Sequence, residues 1–403
     1  MKAGLSRFLW LWLPAFAVFL AGLHRAWLTG QADPWDWSMA AALVMAAAGF
    51  ALARRPLGLI LWAGMGAAGV AVLFCAIASG RAPLPVAAAG LLAVAVMAAV
   101  GGGLLRRKGQ GWIAGAGALA VAALLVWRGP AEPLQPMADR PKLAVITALP
   151  LFWTEPQAGG MERRDSPIVA ILRTRFTVEP LDDPQRLADS GARRLLLAQP
   201  RAMTPAQMVA LDRWVRSGGR ALVLADPALR WPSALPLGDR RRAPSISLLD
   251  PLLDHWGMTL SGSPVAGEKR HFLPDGALVT LSGATLGADA VVSRRIGEGF
   301  VTLVGDADLI DDRLWLADPA SPLDSRVWSA DTPAAVAHWL GASMPSPRRW
   351  MREASDVLAA IRWAVLAGTG WAMLGAWAFR SRKEGVRPGT KEENEVENSV
   401  KIS

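Results

Sequence analysis

The sequence predicts an α-helical membrane region of about six spanning helices joined to a doubly wound, flavodoxin-like α/β soluble domain. Three observations carry this. Residues 1–128 are almost wholly apolar, residues 142–345 have the mixed composition of a globular domain, and residues 356–380 return to an apolar block. A spanning helix needs about 20 mostly apolar residues. Within 194–227 an apolar run, a helical period, a Gly-Gly turn and a second apolar run follow in order, which is the pattern of a strand–helix–strand unit in a parallel sheet.

Five spanning candidates occur early, at 8–28, 37–53, 57–79, 84–105 and 112–128, and a sixth at 356–379. Gly and Ala are frequent in them, which suits close helix approach in lipid. Of 403 residues, 52% are hydrophobic and 19% charged, below the roughly 25% charged of soluble proteins. The net charge is +9. Its basic residues gather at helix ends, where orientation requires them, so no nucleic-acid partner is implied. Lys2, Arg7, Arg54, Arg55, Arg106, Arg107, Lys108, Arg380, Arg382 and Lys383 fall on one side, and only Arg25, Arg81 and Arg128 lie close to the helix ends on the other. Basic loops stay in the cytoplasm. Both termini are therefore expected inside a bacterial inner membrane, with residues 129–355 in the periplasm. The first helix ends in Gly-Leu-His-Arg-Ala-Trp, a poor cleavage site, so it is expected to remain as an anchor. No Asp or Glu lies deep in any spanning candidate, which argues against the helices themselves carrying an ion or substrate.

Residues 129–141 read as a Pro-rich linker. Lys142 to Leu149 is a continuous apolar run fit for a buried strand, and a loop with Gly159 and Gly160 follows. Asp165, Ser166 and Pro167 start a helix. Strands are expected at 176–180 and 194–200. Thr204 caps a helix with Pro205 in its first turn, and Met208, Val209, Leu211, Trp214 and Val215 share its apolar face. Gly218 and Gly219 end it, and Arg220 to Asp226 is the next strand, joined by a right-handed crossover. A helix at 246–257, strands at 277–282, 289–294 and 299–304, and a helix at 332–340 complete the domain. Residues 381–403 are highly charged with few large apolar groups and are expected to be disordered.

The stretch 194–227, with its strand ending in Pro200, its Trp214-containing helix, its Gly-Gly turn and its strand ending in Asp226-Pro227, resembles the GldG-type, ABC-transporter-associated domain. It also resembles related membrane-anchored domains with a class I glutamine-amidotransferase-like fold. Residues 297–308, Gly-Glu-Gly-Phe-Val-Thr-Leu-Val-Gly-Asp-Ala-Asp, are similar to that family's late strand and Asp-rich turn. The resemblance covers about 140–345 and the trailing helix. It implies an accessory role beside ABC permease and ATPase subunits. It also places the amidotransferase elbow near Ala225, Asp226 and Pro227.

Class I amidotransferase chemistry needs a Cys nucleophile. The chain's one cysteine is Cys75, inside an apolar stretch, so that chemistry is excluded. The sequence also has no G-x-S-x-G elbow, no P-loop and no H-E-x-x-H, and His255, His271 and His338 are isolated. No cofactor is implied. What remain are carboxylates at strand C-terminal ends, where open α/β sheets bind ligands: Asp226, Asp306, Asp308 and Asp311, with Asp312 beside them. Such residues also cap turns. Arg240, Arg241 and Arg242 read as a solvated loop, with contact to anionic lipid headgroups as the alternative. The expected function is a non-catalytic membrane accessory protein whose soluble domain binds a partner or ligand. The alternatives are a metal-dependent or degenerate hydrolase and a transporter component.

Overall fold

A computed structural model describes residues 2–106, 111–129, 134–154, 162–236, 238–259, 264–284, 291–344 and 348–380. The expectations for the loop at 159–160 and the tail 381–403 lie outside these residues. The chain opens with α1 (Lys2–Thr29), α2 (Ser38–Ala51), α3 (Leu57–Ser79), α4 (Pro85–Leu105) and α5 (Gly111–Arg128). The soluble part runs β1 (Lys142–Thr147), β2 (Trp153–Thr154), β3 (Glu162–Arg163), α6 (Pro167–Leu172), β4 (Thr177–Pro180), α7 (Leu187–Ser190), β5 (Arg194–Ala198), α8 (Pro205–Arg216) and β6 (Arg220–Leu224). It continues through α9 (Asp250–His255), β7 (Pro264–Phe272), β8 (Leu278–Ala284), β9 (Val291–Ile296), β10 (Gly299–Val304) and α10 (Thr332–Trp339) before α11 (Ala354–Ala378).

Among the described residues, five helices are long and apolar enough to cross a membrane: α1, α3, α4, α5 and α11. The second sequence candidate forms the 14-residue α2, about 21 Å of helix, which carries the chain from the end of α1 to the start of α3. A 3-10 turn at Pro34–Trp37, capped by Asp33, leads into it. α2 is held by close approach to α4. A Cβ on Gly49 would sit 1.9 Å from the Ala99 carbonyl oxygen, and one on Gly102 would sit 2.0 Å from that of Ala46. Only glycine admits that spacing. Between α3 and α11, Trp62 and Trp371 stack at 4.0 Å. Each indole N–H donates to the other's backbone carbonyl, at 3.0 and 2.9 Å.

The bundle has two distinct ends. At one, Arg7 donates to the Phe379 carbonyl and Arg106 lies over the Phe50 ring. At the other, the strap leading into α11 is bonded to the ends of α1 and α3: Ala32 N–H donates to the Arg349 carbonyl, Met351 N–H to that of Gly30, and Arg352 N–H to that of Ala78. The α/β domain sits at this second end. Arg54, Arg55, Arg106 and Arg380 lie toward the first end, away from the domain.

The main sheet has six strands in the order β4-β1-β5-β6-β10-β9. Five are parallel, and β9 runs antiparallel to β10 at the edge. Taken in chain order the parallel strands run 2-1-3-4-5, the flavodoxin-like arrangement. Alternate residues on each strand face opposite layers. Leu143, Val145, Leu196, Leu222 and Val304 pack with α6, α10 and the β8 ribbon strand. Ala144, Ile146, Leu195, Val223 and Leu303 pack with α8 and α9. The strand–helix–strand unit forms as its residues predict: Thr204 makes a reciprocal capping box with Gln207, and Gly218 takes φ 101° at the turn. The helix expected at 246–257 is shorter, because Pro251 can enter only in a first turn and Gly257 at φ 66° ends it. β7 is an unanticipated strand; it pairs with β8 as a separate two-stranded ribbon.

Candidate functional site

Strands β6 and β10 are neighbours, so their C-terminal ends bring Asp226 beside Asp306 and Asp308. Asp226 is fully buried. One of its carboxylate oxygens accepts from the Ala228 N–H at 2.7 Å, and the other accepts from the Ala307 N–H at 3.1 Å, tying the two strand ends together. Asp306 accepts from the Leu309 N–H at 3.1 Å and from the Ser282 N–H of β8, which fastens the ribbon over the sheet edge. Asp308 accepts from the Arg230 N–H at 2.7 Å through Oδ2. Its Oδ1 is buried with no hydrogen-bond partner among the described residues.

Each of the three residues offers an oxygen within 4.8 Å of the others. Gathering carboxylates away from water disfavours their charge. Burial, and then the Asp226 carboxylate, push Asp306 up to about 8. Burial above all pushes Asp308 up to about 7, with Asp226 and Asp311 adding to the effect. Asp226 is raised by burial too, while the N–H groups of Ala228 and Ala307 pull the other way. Near neutral pH Asp306 therefore retains its proton and Asp308 part of its own, and a carboxylic O–H is available as a donor. The same oxygens lie at separations that a hard divalent cation can bridge, since its oxygen ligands sit about 2.3–2.6 Å from the metal.

Asp311 is not part of this group. It caps the next turn through the Arg313 N–H and holds the Arg313 guanidinium with both oxygens at 3.0 Å. Asp312 is raised by burial and by its neighbour Asp311. The capping role and the clustering thus coexist, because strand-end aspartates whose oxygens close local turns also meet where two strands end side by side. The histidines are elsewhere: His255, for instance, is exposed beside Asp212, 3.6 Å away, and Arg216.

The sheet order reverses between β1 and β5, the switch point where such folds usually bind ligands. The acidic trio is displaced from it, across β6. The hollow near the switch point, lined by Ala148, Trp153, Trp231 and Arg241, is only about 30 Å³, room for a water or two. The Arg240–Arg242 loop folds onto it: Arg241 pairs with Asp239 at 2.7 Å and Arg242 donates to the Leu235 carbonyl at 2.8 Å.

Sequence reasoning missed Gln199. Among the described residues it is the single non-glycine with positive φ, 40°. A left-handed strand-end residue therefore stands at the end of β5. Fully buried, its amide accepts from the Asp226 N–H at 2.8 Å and donates to the Asp226 and Pro244 carbonyls at 3.1 and 3.0 Å. A Gln before Pro after an apolar run is the only local signal, and it does not foretell this bonding. Asp331 was also missed. Buried, it accepts from the Leu278 N–H at 3.0 Å, the Arg348 N–H at 3.2 Å and the Trp350 indole, joining the ribbon to the strap that re-enters the membrane.

Residues 140–273 match the sequence family described as an ABC-type uncharacterized transport system. The match bears out the ABC-transporter-associated resemblance; it does not extend to the GldG-type or amidotransferase-like part of it. No curated protein matches the chain. Among solved structures, the exo-β-1,4-mannosidase Op5Man5 from Opitutaceae bacterium strain TAV5 aligns at 14% identity and a TM-score of 0.28, over 57% of this chain and 40% of its own. The GH42 β-galactosidase Gan42B aligns at 11% identity and a TM-score of 0.27, over 56% of this chain and 38% of its own. At those scores neither likeness informs the reading of this chain, which spans less than half the length of either.

Proposed function

We propose that this chain is a non-catalytic accessory subunit of an ABC-type transport system. Its helices dock beside permease and ATPase subunits, both termini face the cytoplasm, and the α/β domain stands in the periplasm, where its strand ends receive a ligand or partner. The observation that carries this reading is the ABC-transport family match, 140–273, in a chain whose remaining length is largely apolar helix. The distribution of Arg54, Arg55, Arg106 and Arg380 away from the α/β domain supports the orientation. The test is detergent purification of the full chain with identification of co-purifying polypeptides. An ATPase and a permease are expected in stoichiometric amounts; recovery of the chain alone, even after cross-linking in cells, sinks the proposal.

Orientation has its own check. Cys75 is buried and Ser321 is exposed, so a Ser321→Cys variant offers one reactive thiol. A membrane-impermeant maleimide is expected to label it in intact spheroplasts. Labelling only after lysis places the domain in the cytoplasm.

One observation favours a second reading of the strand-end site. Asp308 Oδ1 is buried with no hydrogen-bond partner among the described residues, beside Asp226 and Asp306, as a cation ligand awaiting its ion would be. In this reading Asp226, Asp306 and Asp308 hold a divalent cation, as a structural clamp or as the electrophile of a hydrolase; Asp311 is committed to Arg313. Thermal unfolding with Mg²⁺, Ca²⁺ or Mn²⁺ against chelator decides it: a cation-dependent rise that Asp308→Asn abolishes supports the site, and no rise discards it.

A further inference from the structure

We propose that the chain binds one phospholipid, with its phosphodiester in a basic cavity at the membrane surface and an acyl chain in an apolar groove below it. The inference rests on the membrane reading of the helices and is independent of any ABC partner.

The cavity, about 370 Å³, lies where the strap before α11 meets the loop after α3 and the tip of the β7–β8 ribbon. Arg81, Arg349 and Arg352 line it. None of the three makes an ion pair among the described residues; Arg349 donates only to the Ala82 carbonyl, at 3.3 Å. The nearby Arg348 is already matched by Asp33 at 3.3 Å. Two of the free arginines lie over glycines. A Cβ on Gly80 would come 2.7 Å from the Arg352 guanidinium carbon, and one on Gly276 would come 2.3 Å from that of Arg81. Both glycines take positive φ, 60° and 85°, so the backbone itself makes room for the guanidinium groups. Guanidinium groups bind phosphate oxygens in bidentate fashion, and basic pockets at helix ends recognise lipid headgroups.

Glu353 and Asp356 line the same cavity, and neither forms an ion pair among the described residues. Unpaired arginines and carboxylates around one cavity match a headgroup that carries both a phosphodiester and an ammonium group. The favoured occupant is therefore of the phosphatidylethanolamine type.

A groove of about 450 Å³ runs between α3, α4 and α11, lined among others by Ala68, Gly69, Val72, Leu92, Ala367 and Trp371. It shares α3 and α11 with the cavity. On α11, Asp356 of the cavity and Ala367 of the groove are about three turns apart and share a face. On α3, Ser79 of the cavity and Val72 of the groove are about two turns apart and share a face. The offset is roughly 10–16 Å down the bundle, within reach of an acyl chain whose headgroup occupies the cavity. A free phosphate compound would leave the groove unexplained.

The test uses the full chain in nanodiscs of equal phosphatidylethanolamine and phosphatidylglycerol, released into detergent for native mass spectrometry. One retained phospholipid is expected, with phosphatidylethanolamine preferred. Arg81→Gln with Arg352→Gln should lower retention about tenfold, the scale of lost charge-assisted hydrogen bonds. Gly69→Leu leaves the charged residues intact and enters open space, since a Cβ there meets nothing within 4 Å; it should lower retention as well. Unchanged retention in both variants means annular lipid only and overturns the proposal. Equal retention of the two lipids overturns the amine contact. Stabilisation by soluble glycerophosphoethanolamine equal to that by the whole lipid, and indifferent to Gly69→Leu, assigns the cavity to a free phosphate ligand and overturns the lipid.

Discussion

The side-chain amide of Gln31, just past the end of α1, donates 2.7 Å to the backbone carbonyl of Trp328 in the soluble domain. The same nitrogen lies 3.2 and 3.3 Å from the Ser325 and Arg326 carbonyls, and Gln31 also forms a β-bridge with Trp350. One buried residue thus connects the first membrane helix, the α/β domain and the strap leading to the last helix. Gln31→Ala removes the side-chain donor from the buried Trp328 carbonyl, and an unsatisfied buried polar group costs about 1–3 kcal/mol. The expected result is a lower unfolding temperature in detergent and faster proteolysis at the domain junction. A variant as stable and as protease-resistant as the parent would remove the clamp from the account.

The carboxyls at the strand ends make stability pH-dependent, with a definite sign. Asp306 rises from 3.8 in the unfolded chain to about 8 in the fold. Asp308 rises to about 7 and Asp331, chiefly through burial, to about 6. Between about pH 4 and 8 the unfolded chain has lost these protons while the native state keeps them, so stability falls as pH rises and levels off above about 8. Asp306→Asn is expected to flatten the upper part of that slope, between pH 6 and 8 or so. Chemical denaturation across this range reads it directly; stability that climbs with pH contradicts the buried, protonated Asp306 and Asp308.

Gln199 combines left-handed backbone with three side-chain hydrogen bonds. Gln199→Ala loses the bonds and keeps the strain, whereas Gln199→Gly loses the same bonds and relieves it by about 1 kcal/mol. Both should destabilise, with Gly the milder. Equal losses, measured by denaturant midpoints at an unchanged slope, would mean that the φ of 40° is not strained.

Close approach of α2 and α4 makes a further ranking. Gly49→Ala and Gly102→Ala each drive a methyl into a facing carbonyl and should lower the melting temperature or the yield of folded protein. Gly117→Ala, with nothing within 4 Å of its Cβ, should be neutral or slightly stabilising, by up to about 1 kcal/mol of helix propensity. Indifference at all three positions would mean that α2 does not pack as described.

Much of this architecture is legible locally. The apolar blocks that become α1, α3, α4, α5 and α11 announce themselves by length alone, because lipid leaves the backbone no alternative to self-satisfaction. The unit from Arg194 to Leu224 is equally plain, since Thr204, Gln207 and the Gly218-Gly219 turn agree with the period of the residues between them. Asp226, Asp306 and Asp308 are visible as strand-end carboxylates, but their meeting is not, because it depends on β6 and β10 being neighbours. Gln31, Asp331 and the left-handed Gln199 have no local signature; their partners lie far along the chain or across the sheet.

By itself the sequence determined the membrane segments, the side on which basic charge accumulates, the strand–helix–strand unit and the absence of a cysteine nucleophile from the soluble domain. These depend on hydropathy, helical period and residue identity, which act over a few turns. Tertiary structure alone decided that α2 packs glycine to carbonyl on α4, that the strand order reverses away from the acids, and that Arg81, Arg349 and Arg352 surround one cavity. Those outcomes follow from which elements lie side by side, a relation set by packing between distant parts of the chain.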